Sequence, residues 1–285
     1  MSEPIVVGTD GSGESERAVE WAAAEAELRG RPLHIVHAVP KPPLFASAEK
    51  TERLRRAGKA VVEKAGEHLR ERWPEVETST AVVADSAADA LRREASGAFE
   101  LVLGKRGRGG FARMLLGSTS LQMASRCSVP VVIVRGDVQD RGEVQHRGEV
   151  VAGIDLGRET DAVLGYAFDA ARLRGARLRV VHAWQLPTTL VDAGYTVEDE
   201  DARPELRVRL SEACARLRSE HPEVECVEDV VLEHPVKALT SRSRGASLLV
   251  VGAPERRWNA PRLGSTSHGV AHHAQAPVAV VPVKR

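Results

Sequence analysis

Several things are scarce or missing in this sequence, and each absence narrows the reading. Only three of the 285 residues are cysteine, namely Cys127, Cys214 and Cys226. An odd number without metal-ligand spacing argues against a disulfide framework and fits a reducing compartment. Charge of one sign is also missing, since 40 Lys and Arg balance 40 Asp and Glu. No global field therefore nominates nucleic acid or an acidic membrane as partner. No apolar run approaches the ~20 residues that span a bilayer. Met1-Ser2-Glu3-Pro4 leads straight into a strand-like run, without the basic and apolar regions of a secretory leader. The expectation is a cytoplasmic protein with no nucleic-acid and no membrane partner.

What is present is ordinary globular material, 42% hydrophobic and 28% charged, which argues against wholesale disorder. The length suggests two domains at ~100–200 residues each. An internal repeat supports that division. Ile5-Val6-Val7-Gly8-Thr9-Asp10 lies over Val150-Val151-Ala152-Gly153-Ile154-Asp155, and the match runs without a gap to His37-Ala38-Val39 over His182-Ala183-Trp184. About 13 of these 35 positions are identical. Gly117-Ser118-Thr119-Ser120 returns as Gly264-Ser265-Thr266-Ser267, and Val129-Pro130-Val131 as Ala276-Pro277-Val278. The polar stretch between the copies reads as a linker at about 137–148, giving domains over 1–136 and 149–285.

Within each copy strand and helix patterns alternate. In the first, β-branched Ile5–Thr9 reads as a buried strand, Ser15–Arg29 as a helix ending at Gly30, and Leu33–Val39 as the second strand. Glu49–Arg72 reads as a long surface helix, Glu77–Val83 as a strand, Ser86–Ala95 as a helix and Phe99–Gly104 as a strand. A glycine-rich loop, a helix over Ser118–Arg126 and a strand over Val129–Arg135 complete the copy. Such alternation predicts parallel crossovers with helices on both faces. Each domain is expected to be a five-stranded parallel α/β sandwich.

The chemistry-bearing segment is Gly104-Lys105-Arg106-Gly107-Arg108-Gly109-Gly110, followed after six residues by Gly117-Ser118-Thr119. Glycines where a strand leaves the sheet let a ligand approach bare backbone. The helix opening at Ser118 offers unpaired N–H groups and a positive dipole end to a phosphate. Lys105, Arg106, Arg108 and Arg113 supply charge that can neutralise a polyphosphate. No Gly-Lys-Ser/Thr closes the loop, so this is not a Walker A motif. Neither a Ser-His-Asp set nor a zinc signature assembles elsewhere.

The spacing Gly, two residues, Gly, nine residues, Gly, Ser/Thr resembles the ATP-binding signature of the universal stress protein family. Gly104, Gly107, Gly117 and Ser118 satisfy it, and Asp10 and Pro130 stand where that family has such residues. The resemblance implies an adenine nucleotide α-hydrolase-like fold with strand order 3-2-1-4-5 in each domain. ATP would lie in the crevice between the first and fourth strands, where strand order reverses. It implies Asp10 near the adenosine part, Ala38 and Val39 at the adenine, and Leu103, Gly104, Arg106 and Gly107 around ribose and phosphates. Gly117, Ser118 and Thr119 would contact phosphate oxygens. Magnesium would accompany ATP, held mainly by its phosphates. Domains of this family pair through their last strands, which implies an internal pseudo-dimer joined at Val131–Val134 and Val278–Val281, and a possible homodimer.

The second copy departs from the pattern. Asp155, Gly252, Gly264 and Ser265 remain, but Glu255 replaces the second glycine and puts a carboxylate on the phosphate path. The loop to Gly264 is shorter and holds Pro254, Asn259 and Pro261, with Arg256, Arg257 and Arg262 as partial compensation. Trp184 replaces Val39 and is expected to crowd an adenine pocket. This half should bind ATP weakly or not at all. The function read from the sequence is a nucleotide-dependent regulatory or stress-response protein. The alternatives are a slow ATP-hydrolysing enzyme and an interaction module without nucleotide.

Other features read as structural. His37 and His182 hold matching places, which points to packing. His268 and His272 are four apart on the last helix but lack a third metal ligand. Asp85 and Asp89 flank a helix start and suit capping. Cys127 packs before the last strand of the first copy. Glu198-Asp199-Glu200-Asp201 reads as a solvated loop.

Overall fold

A computed structural model describes residues 3–43, 47–107, 116–135, 148–158, 160–185, 203–254 and 263–283. Most of the linker, Arg108, Arg113, Glu255, Arg256, Arg257, Asn259, Pro261, Arg262 and the acidic 198–201 stretch lie outside the described residues. The chain forms two compact units.

The first unit runs β1 (Ile5–Gly8), α1 (Gly13–Arg29), β2 (Leu33–Val39), α2 (Ala48–Arg72), β3 (Thr78–Ala84), α3 (Ala87–Glu94), β4 (Glu100–Gly104), α4 (Ser118–Arg126) and β5 (Val131–Val134). Its strands pair in parallel in the order β3-β2-β1-β4-β5. Consecutive residues such as Ile5, Val6 and Val7, or Leu101 and Val102, are wholly buried. Neighbouring strand residues point to opposite faces, so both faces are covered, as continuous apolar strands require.

Local sequence explains the helix limits. Ser12 caps α1 by accepting from the Ser15 N–H, Glu14 and Glu16 occupy its first turn, and Arg29 its last. Gly30 closes it at φ 59° and ψ 40°, a left-handed conformation that suits glycine. The face carrying Ala18, Ala22, Ala23 and Ala26 is buried, and small side chains there let the helix sit close against the sheet. Ser86 caps α3, and its hydroxyl donates to Asp89 at 2.7 Å while accepting from the Asp89 N–H at 3.2 Å. Asp85 accepts from the Ser86 N–H at 2.8 Å and pairs with Arg93 at 2.6 Å and Lys41 at 3.0 Å. The two aspartates serve the helix start.

The second unit repeats the plan with β6 (Glu149–Gly153), α5 (Asp161–Arg174), β7 (Arg177–Trp184), α6 (Arg203–Glu220), β8 (Cys226–Leu232), α7 (Pro235–Arg242), β9 (Leu248–Pro254), α8 (Ser265–His273) and β10 (Val278–Val283). Its strands are parallel in the order β8-β7-β6-β9-β10. Gly175 closes α5 at φ 58°, just as Gly30 closes α1. Among the described residues, no helix is long and apolar enough to cross a membrane.

Candidate functional site

In the first unit the strand order reverses at β1, because its neighbours β2 and β4 lead away to opposite sides. A crevice opens at the carboxyl ends of such strands. The turn leaving β1 is tightly specified. Asp10 Oδ1 accepts from the Ser12 N–H at 3.0 Å and from the Ser12 hydroxyl at 2.6 Å, an Asx turn. Gly11 lies at φ 71°. The buried Ser15 hydroxyl lies 3.1 Å from Thr9 Oγ1 and accepts from the Asp10 N–H at 3.3 Å. His37 Nδ1 donates to the Thr9 carbonyl at 2.7 Å; a carbonyl only accepts, so this nitrogen carries the proton.

Across the crevice, β4 must be bare. A Cβ on Gly104 would fall 2.6 Å from the backbone oxygen of Glu14, and one on Gly107 would fall 2.4 Å from Asp10 Oδ2. The ends of the intervening loop are tied together. The Gly117 N–H donates to the Lys105 carbonyl at 2.8 Å, and the buried Ser120 hydroxyl to the Gly104 carbonyl at 2.8 Å. Helix α4 begins at Gly117 with no side-chain cap, which leaves its first-turn N–H groups and dipole end for a ligand.

These pieces enclose a cleft of about 510 Å³, lined by Asp10, Ala38, Leu103, Gly104, Arg106, Gly107, Gly117, Ser118 and Thr119 among others. Nine of the ten sequence-nominated residues thus converge. Val39 is the exception: alternation along β2 turns it to the other face, where its Cγ1 meets the position of a Cβ on Gly58 at 2.8 Å. Lys105 likewise lies between cleft-lining neighbours. Burial, reinforced by Arg135 and Arg106 nearby, lowers its pKa, opposed by Glu14. Burial also pulls Arg135 down to about 10. The corner below Arg106 is therefore crowded with positive charge.

Sequence reading passed over Gly8, Ser15, Leu91 and Ser120. A Cβ on Gly8 would fall 2.7 Å from Leu103 and 2.9 Å from Leu91, so this glycine admits a leucine of α3 to the cleft floor. Its repeat partner Gly153 does the same for Leu239 of α7, at 2.6 Å. Ser267 repeats Ser120, donating to the Gly252 carbonyl at 2.5 Å. The repeated Gly-Ser-Thr-Ser tetrad carried that signal.

The second unit has a cleft at the same topological place, about 770 Å³, lined by Asp155, Gly252, Gly264 and Ser265 together with Arg158 and Thr266. Trp184 does not crowd it. Ala183 lines the cleft, and strand alternation sends the next side chain to the opposite face. The Asx turn persists, with Asp155 Oδ1 accepting from the Gly157 N–H at 3.0 Å. Its other oxygen is engaged by Arg158 at 3.0 Å in an exposed pair, whereas Asp10 Oδ2 faces Gly107. Gly252 also has a different reason to be glycine: a Cβ there would meet Val283 at 2.9 Å and Val163 at 3.1 Å. Glu255 lies outside the described residues.

The paired histidines share one task, His182 Nδ1 donating to the Ile154 carbonyl at 3.2 Å as His37 does to Thr9. The rings of His268 and His272 are 4.5 Å apart. Among the described residues no group of three or more His, Cys, Asp or Glu side chains is placed to hold a metal.

Comparison with known proteins agrees with this architecture. The family model for the universal stress protein family matches twice, over residues 1–135 and 147–282. A universal stress protein of Mycolicibacterium smegmatis is 33% identical over 291 residues, covering 97% of this chain and 96% of its own. One from Mycobacterium tuberculosis strain H37Rv is 31% identical over 299 residues, covering 98% and 99%. The fold is also that of a universal stress protein crystal structure from Archaeoglobus fulgidus, with TM-score 0.77, 19% identity and 99% coverage of both chains. Two matched units, full-length relatives and the shared fold agree, and the chain belongs to the universal stress protein family as a tandem of two of its domains.

Proposed function

We propose that the protein is an ATP-binding regulatory member of its family, with nucleotide held mainly by the first unit. The observation that carries this reading is the close approach of Gly107 to Asp10, and of Gly104 to the first turn of α1, beside the uncapped start of α4. Gly117, Ser118 and Thr119 suit phosphate oxygens, through backbone N–H groups and two hydroxyls. Ala38 and Leu103 supply apolar surface for a base, and Arg106 supplies charge. Magnesium fits this donor set as an ion carried by the phosphates rather than by a protein cage, since among the described residues the cleft offers Asp10 alone as carboxylate. The bound nucleotide would act as a ligand that shifts conformational populations.

Weaker binding in the second unit rests on the charge of Glu255 and on the engagement of Asp155 by Arg158. Among the described residues space is not the reason, because that cleft is the larger of the two.

The test is mass spectrometry of small molecules released on denaturing freshly purified protein, beside Gly117→Asp. Gly117 has an ordinary φ of −69°, and a Cβ there approaches the Lys105 carbonyl only to 3.4 Å. Aspartate is also a good helix cap, so the variant should fold while its carboxylate displaces phosphate. ATP from the wild type and none from the variant supports the reading, with about one equivalent per chain on titration with ATP and magnesium. No nucleotide released or taken up would leave the interaction-module alternative; two equal sites would overturn the asymmetry.

A further inference from the structure

Two of the three cysteines meet in the second unit. Cys214, on α6, is wholly buried, and Cys226, the first residue of β8, is half-buried. Their thiols interact directly. Cys214 and Arg218 are one helical turn apart on α6, while Cys226 and Glu228 alternate onto one face of β8. Arg218 ion-pairs with Glu228, and its positive charge also acts on the Cys226 sulfur. The neighbouring Cys214 thiol and the Arg218 guanidinium both favour the Cys226 thiolate over its thiol. Its contact with Cys226 and its burial hold Cys214 as the thiol.

We propose that Cys214 and Cys226 form a reversible redox pair, with Cys226 attacking a hydroperoxide and Cys214 closing the disulfide. The Cys226 thiolate attacks one peroxide oxygen and the O–O bond breaks. The leaving alkoxide or hydroxide takes up a proton and departs as alcohol or water. The sulfur loses two electrons, the peroxide gains them, and Cys226 becomes a sulfenic acid. Cys214 then gives up its proton and attacks the Cys226 sulfur. The S–O bond breaks, hydroxide leaves as water with that proton, and the disulfide remains. A low-molecular-weight dithiol reverses the step by exchange, leaving as its own disulfide. The product ties the later turns of α6 to the start of β8.

Cys127 provides an internal comparison. It follows α4 in the first unit, and burial raises its pKa. The pair should therefore be oxidised on the order of tenfold faster than Cys127.

The experiment treats the full chain with hydrogen peroxide, alkylates the remaining thiols and maps the peptides by mass. The expected product is a linked peptide holding Cys214 and Cys226, short of two hydrogens and restored by dithiothreitol, with Cys127 still alkylated. In Cys214→Ser, dimedone should trap the sulfenic acid on Cys226; in Cys226→Ser, Cys214 should stay unlabelled. Full alkylation of all three cysteines after peroxide, or Cys127 reacting as fast as Cys226, would overturn the proposal. The wild-type map alone decides this if a serine variant fails to fold.

Discussion

Gly104 and Gly252 occupy the same place in the two repeats, yet alanine should be tolerated very differently at each. At Gly104 the new methyl would lie 2.6 Å from a backbone oxygen at the start of α1, about 0.8 Å inside ordinary contact. A backbone carbonyl cannot swing aside, so α1 or β4 must shift. Forcing a methyl into such a space costs ~1–3 kcal/mol. At Gly252 the obstacles are the methyl ends of Val283 and Val163, at 2.9 and 3.1 Å. These can yield by a few tenths of an ångström, and restricting the unfolded chain returns ~0.4–1 kcal/mol. The net cost there should stay under about 1 kcal/mol. Gly13→Ala, at the first residue of α1 with nothing within 4 Å, is the control and should be neutral or stabilising. Hydrogen exchange resolved by peptide reads each unit separately, which matters because a two-domain chain need not unfold in one step. A loss near 2 kcal/mol speeds exchange of the core β4 amides by roughly 30-fold. Exchange in Gly104→Ala within threefold of wild type, or no faster than in Gly252→Ala, would refute the steric argument.

Two further perturbations probe charge and packing. Lys41, the Ser86 N–H and Arg93 hold the Asp85 carboxyl down to about 2. A depressed folded pKa gives stability that is complete above the unfolded value and is lost as pH falls through the folded one. The melting-temperature gap between wild type and Asp85→Asn should therefore be constant from about pH 5 to 7 and shrink between about pH 4 and 2; a gap that widens in acid would contradict the pairing. Phe168 is wholly buried on α5 with its ring 5.9 Å from His221. Phe168→Ala should cost ~3–5 kcal/mol by chemical denaturation of the second unit, and a loss below about 1 kcal/mol would mean the site collapses around the cavity.

Much of this protein was legible because its signals are local. Gly30 and Gly175 close helices whose end is written in a single residue. Helix α4 has the limits expected from the sequence, Ser118–Arg126, because a glycine stands before it and an apolar strand follows. The glycine spacing also located the cleft, since a strand end and a helix start are each short-range features. What misled was side-chain facing. Val39 and Trp184 look like pocket residues when read beside Ala38 and Ala183, but the period of two in a strand sends them to the opposite face. Leu91 and Ser120 went unnoticed as site residues because their partners, Gly8 and Gly104, lie on other elements.

The sequence by itself determined the duplication, the parallel α/β plan and most of the residues that converge on the first cleft, because periodicity, caps and repeat spacing are properties of neighbouring residues. Only the tertiary structure decided which glycine guards which contact, that Trp184 turns away from the second cleft, and that Cys214 meets Cys226. Those outcomes depend on which helix face lies over which strand, a distance set by packing between segments rather than along the chain.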